Sequence, residues 1–146
     1  RLETRIRLEI GGRLKGIGLS VPQCDVLTTL TEQEGLSQQD LAQRLYVTKG
    51  NISGLIDRLE AAGLVERRSI RGDRRSHAIF LTEPGRKAAL DGIALQREFV
   101  HETIGRLPGD RLALFEQMLL DMRDLVRAKT AQDAPPAAPR TKKVAS

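Results

Sequence analysis

The residues of this chain best equipped for chemistry are cations gathered in one short stretch. Between Leu64 and His77, five arginines (Arg67, Arg68, Arg71, Arg74 and Arg75) stand against Glu66 and Asp73, a local excess of three positive charges. Guanidinium groups at that density suit a polyanion, because each presents a rigid fork of N–H donors. Asp73 has no favourable contact with a polyanion of its own, so its expected role is to pair with a neighbouring arginine and set the shape of the stretch. The whole chain leans the same way. Its 24 Lys and Arg against 19 Asp and Glu give +5 and a sequence pI near 9.9, a balance that favours nucleic acid or an acidic membrane surface.

Other chemistries find little material. Cys24 is the one cysteine, which rules out an intrachain disulfide and a cysteine-based zinc site and fits a reducing, cytoplasmic setting. His77 and His101 stand apart from each other and from any cysteine pair, so no metal or cofactor is expected. A P-loop, a G-x-G-x-x-G stretch and a nucleophile with a base at family spacing are all missing, which argues against an enzyme. Tyr46, Phe80, Phe99 and Phe115 are the only aromatics. Stacking on unpaired bases needs aromatic platforms, so duplex binding is favoured over single-strand binding. No apolar run reaches the roughly 18 residues of a membrane span. The chain starts at Arg1 without a methionine, and a removed N-terminal segment is compatible with that start.

The elements that must hold the arginines follow from periodicity and punctuation. Leu2, Ile6 and Ile10 recur at helical spacing until "KGIGLSVPQ" breaks the pattern. A second helix is expected from Pro22 to about Glu34, ended by Gly35, with Cys24, Val26, Leu27 and Leu30 on it. "SQQD" at 37–40 is a capping signature in which Ser37 caps and Asp40 reaches back. The short helix that it opens is interrupted at Val47. Thr48 then caps "VTKGNISGLIDRLEAAG", a helix to about Ala62 closed by Gly63. "LVERRSIRGDRRSHAIFLT" has apolar ends around a polar middle with "RGD" as a turn, which describes a β-hairpin with a long basic tip. A long helix carries Leu90, Ile93, Arg97, Val100, Ile104 and Leu107, and after "LPGD" a last helix runs from about Gly109 to Lys129. From Ala131 the composition turns to Ala, Pro, Lys and Ser, and 131–146 is expected as a disordered basic tail. The fold class is therefore mainly α with a small β-hairpin, an α+β chain.

Gly50 and Gly54 lie one turn apart inside the fourth of these helices, and each costs it roughly 1 kcal/mol against alanine. At about 100° per residue, Ile52, Leu55, Ile56 and Leu59 cluster on one face while the two glycines lie opposite, among Asn51, Ser53, Asp57 and Arg58. Glycines that serve tight packing belong on a buried face. These face outward, so something large is expected to approach the bare backbone. A DNA major groove, about 12 Å wide, admits such a helix, with Thr48, Lys49, Asn51 and Ser53 reaching base edges or phosphates. The alternative is a pair of glycines tolerated on a solvated face. Asp57 is awkward there, since a carboxylate repels phosphate unless it is paired. A basic hairpin directly after a helix-turn-helix is the layout of a winged helix, whose wing places an arginine in the minor groove.

The stretch "LSQQDLAQRLYVTKGNISGLIDRLEAAGLVERRSIRGDRRSHAIFLTEPG" (36–85) resembles the winged helix-turn-helix of MarR-type bacterial transcriptional regulators, and "GLSVPQCDVLTTL" is similar to that family's second helix. The D-R-R of the wing, followed by a short strand and "LTEPG" after "GLVERR", is the specific part. The resemblance implies a homodimeric repressor that binds a pseudo-palindromic operator, one recognition helix per half-site, and is found in the cytoplasm beside the nucleoid. It implies a winged domain over 21–85 and a dimerisation region over 1–20 and 86–130. Matched by position, Asp73 and Arg75 fall on the wing's Asp and minor-groove Arg. Ser37, Thr48, Lys49, Gly50, Asn51, Ser53, Gly54, Arg58, Arg71 and Arg74 belong to the expected DNA-binding surface. Cys24 departs from the family, which more often has an aromatic there.

Two apolar stripes run along the last helix. Leu112, Phe115, Leu119, Met122 and Val126 form one, and Leu114, Met118 and Leu125 the other. The first, with Leu2 and Ile6, is expected as dimer interface and the second as core. The family commonly answers to small aromatic or acidic effectors bound between the dimerisation helices and the winged domain, which weaken DNA binding. A redox sensor acting through Cys24 is the alternative. It lacks a neighbouring base to lower the thiol's pKa, and such relatives carry the cysteine in the first helix, so a buried structural thiol is expected.

Overall fold

The computed structural model describes the backbone of residues 1–70 and 73–132, and the side chains of all of these except 70, 73–76 and 130–132. It is mainly helical with one small antiparallel sheet, and it forms two compact units, residues 1–102 and 103–146.

In the first unit, caps set the helix starts. After α1 (Leu2–Lys15), α2 (Val21–Glu32) begins at Ser20, whose N–H donates to Gln23 Oε1 at 2.9 Å while Gln23 N donates to Ser20 Oγ at 3.4 Å. That reciprocal pair starts the helix one residue before the expected Pro22. The expected box at Ser37 is present: Asp40 N donates to Ser37 Oγ at 3.1 Å and opens α3 (Gln38–Arg44). Hydrogen bonds from Ser37's side chain and backbone hold the Asp40 carboxyl below the ordinary range. Thr48 caps α4 (Lys49–Ala61) by accepting from Asn51 N at 3.4 Å, and Gly63, at φ +71°, closes it.

The sheet has an element that periodicity could not reveal. Besides β2 (Val65–Ile70) and β3 (Asp73–Leu81), a two-residue strand β1 (Leu36–Ser37) pairs with β3, so the order is β1-β3-β2. Gly35, at φ +77°, turns the chain so that its N–H donates to Ile79 O at 2.9 Å and Leu36 sits opposite Ile79. The hairpin's polar middle is not a long loop either. Pairing runs from Val65↔Leu81 to Ile70↔Asp73, with an irregularity between Ser69 and Ile70. A projecting ribbon satisfies its backbone in its own ladder and needs no apolar face to do so.

Ile52, Leu55, Ile56 and Leu59, the apolar face of α4, are buried together with Leu27, Leu30, Leu41 and Ile79. The face of α5 (Glu83–Glu102) differs from the expected apolar stripe. Gly85, Ala89 and Gly92 are its buried residues, whereas Leu90 and Val100 are exposed. Small residues let the helix come close: a Cβ on Gly92 would lie 2.6 Å from Cys24 Sγ, and one on Gly85 would lie 1.7 Å from Leu64 O. The helix stops at Glu102 instead of running through Leu107. Arg13 ties α1 to this end, with Nη2 donating to Glu102 Oε2 at 2.6 Å and the guanidinium 5.5 Å from the Phe99 ring.

The second unit holds a 3-10 turn (Ile104–Arg106) and α6 (Gly109–Gln132), two residues into the segment expected as a tail. None of its described side chains is buried. Within this unit neither α6 stripe is covered: Leu112, Phe115, Leu119, Met122 and Val126 are exposed, and so are Leu114, Met118 and Leu125. A stripe spacing reports that a surface is apolar; it does not report which molecule covers it. On α1, Leu2 is exposed and Ile6 half-buried. No described helix is long and apolar enough to cross a membrane.

Candidate nucleic-acid interface

The N-terminal half of α4 presents a bare outer face. A Cβ on Gly50 would meet nothing within 4 Å, and one on Gly54 would meet only Arg58 Nη2 at 4.0 Å. Gly85 and Gly92 on α5 are the opposite case, with their missing Cβ positions filled by neighbours. The same residue type thus does two jobs, and of these two pairs the one on α4 leaves room for something outside the chain. Around that pair Lys49 and Asn51 are exposed and Ser53 is half-buried. The first turn of α4 carries no acidic residue, so its free N–H groups and positive helix end stay uncompensated by carboxylate and suit an anion. Arg58 lies back along the helix, with Nε donating to Gly54 O at 3.0 Å. Ser37 and Thr48, expected among the contact residues, use their side chains as caps; the Ser37 hydroxyl also donates to Asp40 Oδ2 at 2.7 Å.

Asp57 is compensated from the sheet. The Arg67 guanidinium reaches across from β2 to bind Asp57 through Nη2 and Glu60 through Nη1, and Arg67 N donates to Glu60 Oε1 at 3.3 Å. With its amide turned to face donors, Gln38 of α3 accepts from the same group at 2.9 Å. Burial works against Arg67's charge, and its bonds to Asp57 and Glu60 outweigh it, so its pKa is raised. One arginine therefore pairs with both carboxylates, which leaves the trio a single negative charge in place of two, and links the helix to β2. Arg68 is also occupied: Nε donates to Glu66 Oε1 at 2.8 Å and the guanidinium stacks 4.2 Å from the Phe80 ring.

Two of the five hairpin arginines thus serve the fold. Arg71 lies outside the described residues. Asp73, Arg74 and Arg75 have their backbone on β3, but their side chains lie outside the description, and so does the expected pairing of Asp73. No local pattern marks the Arg67 clamp, because its partners are seven and ten residues away across a turn.

Cys24 is fully buried, and desolvation, followed by the nearby Asp25 carboxylate, pushes its thiol up to about 11. At neutral pH that leaves a thiolate fraction on the order of 10⁻⁴. A redox sensor needs an accessible thiolate, so the alternative function has no support here. Among the described residues, no group of His, Cys, Asp and Glu could hold a metal ion.

Residues 17–76 match the sequence profile of the MarR family. The HTH-type transcriptional regulator TtmR of Methylorubrum extorquens is 37% identical over 124 residues, covering 82% of this chain and 60% of that regulator. This chain accordingly spans about 60% of that relative's length. The transcriptional regulator HosA of Escherichia coli O111:H- is 30% identical over 104 residues, 71% of this chain and 77% of HosA. Among solved structures, a MarR transcriptional regulator from Methanosarcina mazei Go1 superposes with a TM-score of 0.79 at 25% identity, covering 87% of this chain and 91% of that one. A Mycobacterium tuberculosis MarR family protein in complex with DNA superposes with a TM-score of 0.66 at 27% identity, covering 80% and 87%.

Proposed function

This chain belongs to the MarR family of transcriptional regulators, and on that premise we propose that it is a homodimeric transcriptional repressor that binds double-stranded DNA sequence-specifically. The observation that carries the reading is the bare outer face of α4, open at Gly50 and Gly54, with Asp57 held in an ion pair by Arg67. In this reading the end of α4 at Thr48, Lys49, Asn51 and Ser53 enters the major groove, with Arg58 further along the same side. The wing's Arg71, Arg74 and Arg75 follow the neighbouring minor groove, where the potential is most negative. Release by a small aromatic or acidic effector belongs to the same proposal and rests on the family resemblance.

The DNA reading is tested at the wing. Arg75→Ala is expected to lower affinity for the operator by roughly 1 to 3 kcal/mol and leave the assembly state unchanged. A mobility-shift titration at fixed salt checks this, and unchanged affinity would take the wing out of the mechanism.

The homodimer rests on α6, whose apolar stripes are exposed in the single chain. Exposed area of this extent is costly in water and marks an interaction surface. A second copy covers it symmetrically and sets two recognition helices about 34 Å apart, the spacing of half-sites one DNA turn apart. Analytical ultracentrifugation should give about twice the 16.1 kDa chain mass. A monomer at micromolar concentration would end the two-half-site arrangement.

A further inference from the structure

α3 ends in the bonds of a Schellman motif. Tyr46 N donates to Gln43 O at 3.4 Å and Val47 N to Ala42 O at 3.0 Å, which puts Tyr46 just after the C-cap Leu45, where the backbone turns left-handed. Tyr46 has φ +53°. At every other described residue with positive φ the chain uses glycine (Gly18, Gly35 and Gly63), because any Cβ crowds the following carbonyl in that conformation. Val47 packs half-buried against the core and holds the motif in place, so the backbone at Tyr46 has little freedom to relax.

The tyrosine side chain gains nothing within the fold for this strain. It is 86% exposed, more than any other described large apolar side chain, and has no hydrogen bond or ring contact with the described residues. A strained position that carries an exposed aromatic with no internal contact points to a partner outside the chain. Tyr46 lies two residues before Thr48, the cap of α4, and three before Lys49. In a helix-turn-helix the first helix crosses the DNA backbone and the second enters the groove, so the turn between them runs beside the phosphates. We propose that Tyr46 is a DNA-backbone contact whose hydroxyl donates to a phosphate oxygen and positions α4 in the groove. This rests on reading the chain as a duplex-DNA binder.

A phosphate contact positions without reading sequence, and a neutral phenol displaces no counterion of its own. Binding is measured by fluorescence anisotropy on two probes: a mixed-sequence duplex of about 30 base pairs, and the genomic duplex that the protein selects. Tyr46→Phe should weaken binding about fivefold to tenfold on both, with an unchanged slope of log affinity against log salt. Tyr46→Gly should weaken it at least as much while raising the thermal midpoint by about 2 to 5 °C, because glycine accepts the left-handed backbone without strain. Binding and stability then move in opposite directions, which a merely structural tyrosine could not produce. The proposal is overturned if Tyr46→Phe binds like the parent, if the loss is confined to the selected duplex, or if Tyr46→Gly lowers stability along with binding. A parent protein that binds neither probe instead removes the DNA reading itself, before any variant is compared.

Discussion

Gly54→Leu is expected to abolish operator binding, with at least a hundredfold loss of affinity or about 3 kcal/mol, while leaving the protein folded. The added side chain starts in open space, since the nearest atom to a Cβ there is Arg58 Nη2 at 4.0 Å. Within the helix the change is favourable, because leucine is preferred to glycine by roughly 0.8 kcal/mol. The cost falls entirely on the complex. A helix with its side chains is about 10–12 Å across and the major groove about 12 Å wide, so a branched side chain on the approaching face holds the backbone off the bases. Circular dichroism and thermal melting should match or exceed the parent while the mobility shift disappears. Normal helix content with retained binding would falsify the assignment of this face to DNA.

Gly85→Ala is expected to do the reverse: destabilise the fold by about 3 kcal/mol or more, and weaken DNA binding only as far as the protein unfolds. A Cβ there would sit 1.7 Å from Leu64 O and 2.7 Å from the Leu64 carbonyl carbon. Backbone atoms cannot rotate aside as a side chain can. The same carbonyl accepts from Thr82 N at 3.1 Å, while Thr82 Oγ1 donates to Gly63 O at 2.6 Å and accepts from Gly85 N at 3.1 Å. Moving α5 away to admit the methyl group therefore strains the junction of α4, β2, β3 and α5 at once. Urea unfolding should show a clearly lower midpoint with a similar slope. A midpoint within experimental error of the parent would show that the junction yields more easily than this packing suggests.

These two glycines mark how far the residues alone could be read. The exposed face of α4 was legible because a helix repeats every 3.6 residues, so the positions of Ile52, Leu55, Ile56 and Leu59 fix the opposite side. The cap at Ser37 was legible because its partner Asp40 is three residues away. The packed face of α5 was not, because Gly85, Ala89 and Gly92 have too little apolar surface to form a periodic signal. Its most apolar residues drew attention to the wrong side, and Leu90 and Val100 are exposed. The two-residue strand β1 is too short to show any alternation.

For the candidate site the division is the same. Composition and order were enough to place a capped helix with a bare outer stripe ahead of an arginine-rich hairpin, since both depend on neighbours within about one helical turn or one strand. How Asp57 can sit on that side of the helix was settled only when β2 came alongside α4 and brought Arg67 against both Asp57 and Glu60. That Arg67 and Arg68 are drawn into pairs within the fold was settled at the same moment. Spacing along the chain encodes contacts that the backbone geometry of a single element guarantees. Contacts between elements depend on how closely their backbones approach, and that distance is set by the small residues and buried side chains of the whole core.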